Sequence, residues 1–357
     1  LQWFSKQEEA VKIDLFAHSV KNIKSFEFKN KKFVYKRLAP KLSSYKSLSK
    51  FITWFCFNIF YSFFSSKRRL LFRELVLSKI FELSPKTKLA EKYFFHNSVH
   101  FFRPLWTYIA EKKGAEIIFY FYSTNIVSHK HKDKKHIQDS IWNVSNWPKY
   151  WVWNEAQSNF IKNFTFSSST IIIKGIIPFS TSIGKDPLLS FSDKFRILVF
   201  DIQPTKKYIY DSLGLSLEYY TEDNCIDFLN KINIIAQELN LDVYIKRKRY
   251  SNNVSKKYIK QLNIFLATQT WTEIPPDYDA LLACELVKPF AVVSMPYTST
   301  AHTASSIDIP SIFFDNTEIL DEEFIYNSEI PLISGYNNLK KWISNCVNNI
   351  KKPKNVF

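Results

Sequence analysis

From about Glu116 onward, short apolar runs alternate with stretches of helical period. EIIFYFYS (116–123), YWVWN (150–154) and STIIIKGII (169–177) are rich in β-branched and aromatic residues, which predicts buried strands. FRILVFDIQ (195–203) restarts the series as a further strand. In CIDFLNKINIIAQELN (225–240), Phe228, Ile232, Ile235 and Leu239 recur at helical spacing, and LDVYIKRK follows as a strand. YDALLACELV then predicts a helix, PFAVVSM a strand, TSTAHTASS a helix of small residues, PSIFFD a strand and NNLKKWISNCVNNI a closing helix. Such alternation is the mark of an α/β architecture with parallel sheets.

The alternation is interrupted once, by PFSTSIGKDPLLSFSDK (178–194), which is rich in Pro, Ser, Gly and Asp and has no period. A chain of 357 residues also exceeds what one hydrophobic core usually serves, about 250–300 residues. The expected plan is an N-terminal domain over 1–177, a linker over 178–194, a second domain over 195–335 and a C-terminal helix and tail over 336–357.

Composition narrows the chemistry. Only five glycines occur, so neither a dinucleotide-binding fingerprint nor a P-loop can be written. The four cysteines, Cys56, Cys225, Cys284 and Cys346, are far apart and show no CxxC spacing, as expected of reduced thiols in a cytoplasmic chain. His129, His131 and His136 stand in a Lys-rich polar loop without a carboxylate pair, which reads as solvated loop rather than metal site. No secretory signal pattern opens the sequence.

Charge is concentrated. Of the formal net charge of +16, most lies in residues 1–88, which hold 19 Lys and Arg against 6 Asp and Glu. Within them FITWFCFNIFYSFF (51–64) is apolar and aromatic, bounded by Lys50 and by Lys67, Arg68 and Arg69. Fourteen residues are too few to span a bilayer, which takes about 20. Aromatic residues beside cations suit a helix lying on an anionic membrane surface, and 51–69 is the expected segment for it. A helix buried in the core would explain the apolar run equally well.

The densest chemistry lies in PFAVVSMPYTSTAHTASSIDIPSIFFD (289–315). A buried strand runs into Ser294, and Thr298, Ser299 and Thr300 arrive where the next helix begins. Hydroxyls and free N–H groups at a helix start make an anion site, although plain N-capping by Thr298 or Ser299 uses the same residues. Asp201, in VFDIQP, puts a carboxylate at the carboxyl end of a strand. It could serve as nucleophile or base, or as a structural turn residue.

PYTSTAHTASSIDIPSIFFD resembles the PFTS motif and trailing IPSIxYD strand of bacterial CMP-sugar-dependent glycosyltransferases from capsule and O-antigen loci, the retaining β-Kdo transferases of GT-B fold. The resemblance extends more weakly through FDIQP to VWNEAQ, over roughly 150–315, and Tyr297 stands where the motif has Phe. It implies two Rossmann-like domains facing a cleft, a CMP-activated ulosonic acid such as CMP-Kdo as donor, and Ser294, Thr298 and Ser299 at the nucleotide phosphate. It further implies Asp201 as the catalytic carboxylate of a retaining transfer through a glycosyl-enzyme adduct.

On that reading, the basic run Lys246, Arg247, Lys248 and Arg249 would neutralise the donor carboxylate or the departing phosphate, with either alternate pair facing the cleft. Glu155 is a candidate acceptor-side carboxylate, and Thr300 and His302 candidate nucleotide contacts. No DxD pair is evident, so no metal or cofactor is expected, and leaving-group charge falls to the helix start and the cations. The expected partners are a sugar nucleotide, a glycan or lipid-linked acceptor of surface polysaccharide, and the inner face of the cytoplasmic membrane. Two alternatives remain: a UDP- or GDP-sugar on the same fold, and a basic membrane- or nucleic-acid-binding protein on a degenerate enzyme fold. A basic patch for nucleic acid, however, has no use for the hydroxyl-rich helix start or the strand-end Asp201.

Overall fold

The computed structural model describes residues 16–17, 26–28, 31–33, 36–37, 42, 44–96, 102–124, 132, 144–164, 168–177, 192–204, 206, 219–247, 253–275, 278–321 and 330–351. The chain divides into two compact units, one of residues 1–121, 140–152 and 161–174, the other of 122–139, 153–160 and 175–357. The α/β expectation is met with a four-stranded parallel sheet in the first unit and a six-stranded parallel sheet in the second.

After four short strands at Phe16–Ala17, Phe26–Phe28, Lys31–Phe33 and Lys36–Arg37, the first unit forms a helical hairpin, α1 (Tyr45–Phe64) and α2 (Ser66–Leu83). Ser65 ends α1 in extended backbone and at once caps α2, its hydroxyl accepting from the Arg68 N–H. Asn58 is the buried polar residue of α1. Its amide donates to the Trp54 carbonyl and its oxygen accepts from Arg68, so one member of the basic cluster is held structurally. The far end of α2 is closed from a distance: the Lys113 ammonium donates to the carbonyls of Phe81, Glu82 and Ser84, where the helix dipole favours a cation.

The sheet of this unit contains β1 (Lys92–His96), β2 (Glu116–Tyr120), β3 (Lys149–Val152) and β4 (Thr170–Ile173), side by side in chain order and all parallel. Aromatic rings fill its core. Phe81 stacks on Trp106 of α3 (Leu105–Lys112) at 4.4 Å, and Phe95 meets Trp147 at 4.6 Å. One expectation is corrected here. The run 169–177 is not a strand buried on both faces, because β4 lies at the sheet edge with Ile173 46% exposed.

The second unit carries six parallel strands: β5 (Arg196–Phe200), β6 (Asp242–Lys246), β7 (Trp271–Ile274), β8 (Ala291–Ser294), β9 (Ser311–Asp315) and β10 (Leu332–Ser334). Their spatial order is β7-β6-β5-β8-β9-β10, that is 3-2-1-4-5-6, the order of a Rossmann sheet. Both faces are covered, and β5, β6 and β8 alternate between two apolar cores. Ile197, Val199, Val243 and Val293 pack with Phe228 and Ile232 of α5 (Glu222–Glu238) and Tyr258 and Leu262 of α6 (Lys256–Leu266). Leu198, Phe200, Tyr244 and Val292 pack with Ala283 and Val287 of α7 (Ala280–Val287) and Ala304 of α8 (Ser299–Ser305). The closing helix, α9 (Tyr336–Lys351), adds Leu339 and Ile343 to the first of these cores.

Helix α5 starts three residues before the sequence pattern suggests, because Thr221 caps it by accepting from the Asn224 N–H. Most of the expected linker, residues 178–191, lies outside the described residues, as does the histidine loop except for Lys132.

Candidate active site

In a sheet of this order the strand sequence reverses between β5 and β8, and ligands bind in the crevice outside the carboxyl ends at such a point. Ser294 pairs with Phe200, and the Met295 N–H donates to the Phe200 carbonyl, so the chain leaves β5 at Asp201 directly beside where it leaves β8 at Met295. The two motifs singled out in the sequence therefore emerge side by side.

Asp201 is buried, and Tyr258 of α6 donates its phenol to Oδ2. Oδ1 has no hydrogen-bond partner among the described residues, and neither has the buried Nε2 of Gln203, two residues on. Buried polar groups are nearly always paired, so an acceptor and a donor unspent among the described residues at one strand end are available to a ligand. Burial pushes the Asp201 carboxyl up to about 7 against the pull of Arg247 and Lys246, with Glu273 adding to the rise. A carboxyl of that kind changes charge near neutral pH, as a catalytic acid or base must.

The cations at the end of β6 are less free than the sequence suggests. Lys246 and Arg247 are both buried; Lys246 donates to the Arg247 carbonyl, while Arg247 holds both carboxylate oxygens of Glu273. Lys248 and Arg249 lie outside the described residues.

After β8 the backbone turns sharply, and Tyr297, buried, sits at φ 63°, a left-handed conformation unusual for a bulky residue. Two contacts support the turn. Tyr220 donates its phenol to the Pro296 carbonyl at 2.6 Å, and Thr124 reaches the Tyr297 carbonyl at 3.4 Å. Thr298 takes the N-cap position of α8, yet its hydroxyl donates to the Met295 carbonyl instead of capping. Ser294, Thr300 and Thr298 form a chain of hydroxyls at 3.3 and 3.1 Å. No side chain thus caps this helix start, and simple capping does not account for its hydroxyls.

Asp315, at the end of β9, is fully buried. It accepts from Tyr219 Oη at 2.7 Å, from the Thr317 N–H and hydroxyl at 2.9 and 2.6 Å, and from the Leu320 N–H at 2.9 Å. Tyr219 and Tyr220 are consecutive, so one dipeptide braces the loops after both β8 and β9.

His302 and Glu155 stand apart from this group. His302 lines a cavity of about 380 Å³ with Trp153, Asn154, Thr303 and Ser306, all residues of the second unit. Glu155 is exposed at the start of α4 (Glu155–Phe164) and is not on that lining.

The model of the polysaccharide biosynthesis PFTS motif family matches residues 47–343. The chain belongs to that family. The match extends well beyond the 150–315 of the sequence resemblance and takes in both helices of the N-terminal hairpin. Family membership ties the protein to polysaccharide biosynthesis. No curated protein matches the sequence.

Solved structures similar to the chain are remote. A Listeria monocytogenes protein described as a candidate UDP-N-acetylglucosamine 2-epimerase aligns with TM-score 0.46 and 11% identity over 78% of this chain and 70% of its own. A trehalose-6-phosphate protein from E. coli, bound with UDP-2-fluoro glucose, aligns with TM-score 0.43 and 9% identity over 95% and 83%. A TarM mutant from S. aureus, in complex with Fondaparinux, alpha-GlcNAc-glycerol and UDP, aligns with TM-score 0.39 and 16% identity over 69% and 46%.

Sequence reasoning did not single out Tyr258, Gln203, Glu273 or the Tyr219–Tyr220 brace of this PFTS-family site. Gln203 stood in the quoted FDIQP. The others make their contacts in this site across long sequence separations.

Proposed function

We propose that the protein is a GT-B glycosyltransferase that binds a sugar nucleotide at the carboxyl ends of β5 and β8 and transfers the sugar to a surface glycan or lipid-linked acceptor. The observation that carries this reading is Asp201: a buried carboxylate with one unspent oxygen, beside an uncapped, hydroxyl-lined helix start at a Rossmann switch point. The donor is the CMP ester of Kdo or a related ulosonic acid, as the PYTS motif suggests. In the first step Asp201 Oδ1 bonds to the anomeric carbon while the bond to the CMP phosphate oxygen breaks and CMP leaves with the electron pair. In the second, the acceptor hydroxyl displaces Asp201, which leaves as the free carboxylate while the proton passes to solvent, so that two inversions retain configuration. Titration with CMP, UDP and GDP tests the donor class: CMP is expected to bind tightest, and tight UDP or GDP binding without CMP binding would reassign the donor.

Thr298 and Ser299 hold the donor phosphate in this reading. Replacing both with Ala is expected to weaken CMP binding by about 1–3 kcal/mol, the worth of hydrogen bonds to a charged group, with a smaller change in melting temperature. Unchanged affinity in the double variant would return these hydroxyls to a role in the fold alone.

The reading also places the acceptor at an anionic membrane surface. Helices α1 and α2 expose Phe60, Phe63, Phe64, Leu70 and Leu71 beside exposed Lys67 and Arg69, while no described helix is long and apolar enough to cross a membrane. Cations near such a surface contribute about 1 kcal/mol each. The protein is expected to sediment with phosphatidylserine vesicles and to be released by salt. Phe63→Ser with Phe64→Ser is expected to lower vesicle affinity at least tenfold; retention at wild-type level would remove the hairpin from membrane contact.

A further inference from the structure

The cavity beside α8 has a lining unlike the donor site. Trp153, Ile176, Leu281 and Ile307 supply apolar walls, Asn154, His302, Thr303 and Ser306 supply polar groups, and among the described residues no lining side chain is a Lys, Arg, Asp or Glu. The imidazole of His302 is 7% exposed and makes no hydrogen bond to any described residue; its ring stands edge-to-face with Trp153 at 6.4 Å and with Phe313 at 5.8 Å. Burial lowers its pKa to about 4, so at neutral pH it carries one N–H donor and one bare nitrogen acceptor. Asn154 uses its carbonyl oxygen to accept from the Gln157 N–H, which leaves its amide N–H groups to spend. The hydroxyls of Thr303 and Ser306 donate to the Ser299 and Thr303 carbonyls and keep their lone pairs.

Among the described residues nothing in this lining compensates a phosphate or a carboxylate, so the lining suits an uncharged ligand. It must offer an apolar face to an aromatic wall and a rim of groups that both donate and accept. A sugar ring meets each condition: its C–H face packs on Trp153, and its hydroxyls serve donors and acceptors alike. The cavity volume is near the lower end of small-ligand pockets, about 300–1,000 Å³. We infer that this cavity is a subsite for an uncharged pyranose ring of the acceptor glycan, packed on Trp153 and hydrogen-bonded by His302, Asn154 and Ser306. The assignment of that ring to the acceptor rests on the glycosyltransferase reading. It also moves His302 from the nucleotide, where the sequence put it, to the saccharide.

Saturation-transfer NMR on the full chain tests the subsite without any turnover. Methyl glycosides of glucose, galactose and N-acetylglucosamine are titrated beside methyl glucuronide and CMP. At least one neutral glycoside is expected to bind in the millimolar range, the glucuronide at least tenfold more weakly, and the neutral sugar is expected to persist when CMP is saturating. His302→Gln and the cavity-filling Ser306→Leu are each expected to weaken the neutral glycoside at least tenfold and to leave CMP affinity unchanged, which also reports an intact fold. If no neutral glycoside binds while CMP does, or if CMP expels the sugar and both variants weaken CMP, the cavity belongs to the nucleotide and the inference is overturned. If a neutral glycoside binds through His302 while no nucleotide binds at all, the transferase reading fails and the saccharide site stands.

Discussion

Asp201→Asn is expected to lower sugar transfer at least a hundredfold, to leave CMP affinity nearly unchanged, and to make the protein more stable above neutral pH. Loss of rate follows because the amide keeps the shape of the carboxylate but cannot bond to the anomeric carbon, and the missing charge acts on the chemical step. The gain in stability follows from burial. The Asp201 carboxyl has a pKa of about 7 in the folded protein against an ordinary 3.8. Below about 4 both folded and unfolded forms are protonated and the group has no effect on stability. Between about 4 and 7 the unfolded chain ionises while the folded protein holds its proton, so stability falls as pH rises and stays lowered above 7. The loss is on the order of 1–4 kcal/mol at pH 8. Asn does not titrate, so the variant's advantage should be visible in thermal unfolding at pH 8 and absent at about pH 3, below the ordinary carboxyl pKa. The wild-type rate should climb with pH and level off above about 7, since only the ionised carboxylate attacks. A variant that turns over near the wild-type rate would take Asp201 out of the mechanism and make Glu155 the next carboxylate to test.

Asp315→Ala carries the largest expected loss of stability. Four donors converge on a side chain with no solvent exposure, and the alanine removes the shared acceptor of the Tyr219 phenol, the half-buried Thr317 hydroxyl and two backbone N–H groups. Unsatisfied buried groups cost about 1–3 kcal/mol each before relaxation, and a realistic total is about 3–5 kcal/mol. The midpoint of urea unfolding measures it. Tyr219→Phe removes one bond of the four and should cost about 1–2 kcal/mol. Equal effects from the two substitutions would mean that Tyr219, and not the set of donors, carries the weight of the network.

The second unit was largely legible in its sequence because its strands are buried on both faces and read as unbroken apolar runs, with FRILVF and PFAVVSM the clearest cases. The α6 helix carries its own signal, since Tyr258, Leu262 and Phe265 fall on one buried face, but nothing in that spacing shows that the Tyr258 phenol meets Asp201. The first hundred residues resisted for a different reason. Helix α2 has charged and apolar residues on most sides, and what fixes its C-terminal end is Lys113, about thirty positions away. Of the site, Asp201 and the PYTS turn were readable because each ends a strand. Tyr258 lies 57 positions from its partner Asp201, and Glu273 lies 26 from Arg247, so neither pairing could be seen before the sheet brought them together.

The brace formed by Tyr219 and Tyr220 bears on how such a site can diversify. One phenol is tied to the carboxylate that ends β9, and the next holds the carbonyl of Pro296 after β8. Two loops of one ligand crevice therefore share an anchor two residues long, and neither can shift without pulling on the other. A lineage changing its donor sugar through this part of the crevice would have to alter both loops in concert or first lose the brace. Natural variation at Tyr219 and Tyr220 should accordingly travel with variation at 296–298 and 315–317, while substitutions confined to one loop should be rare among active enzymes.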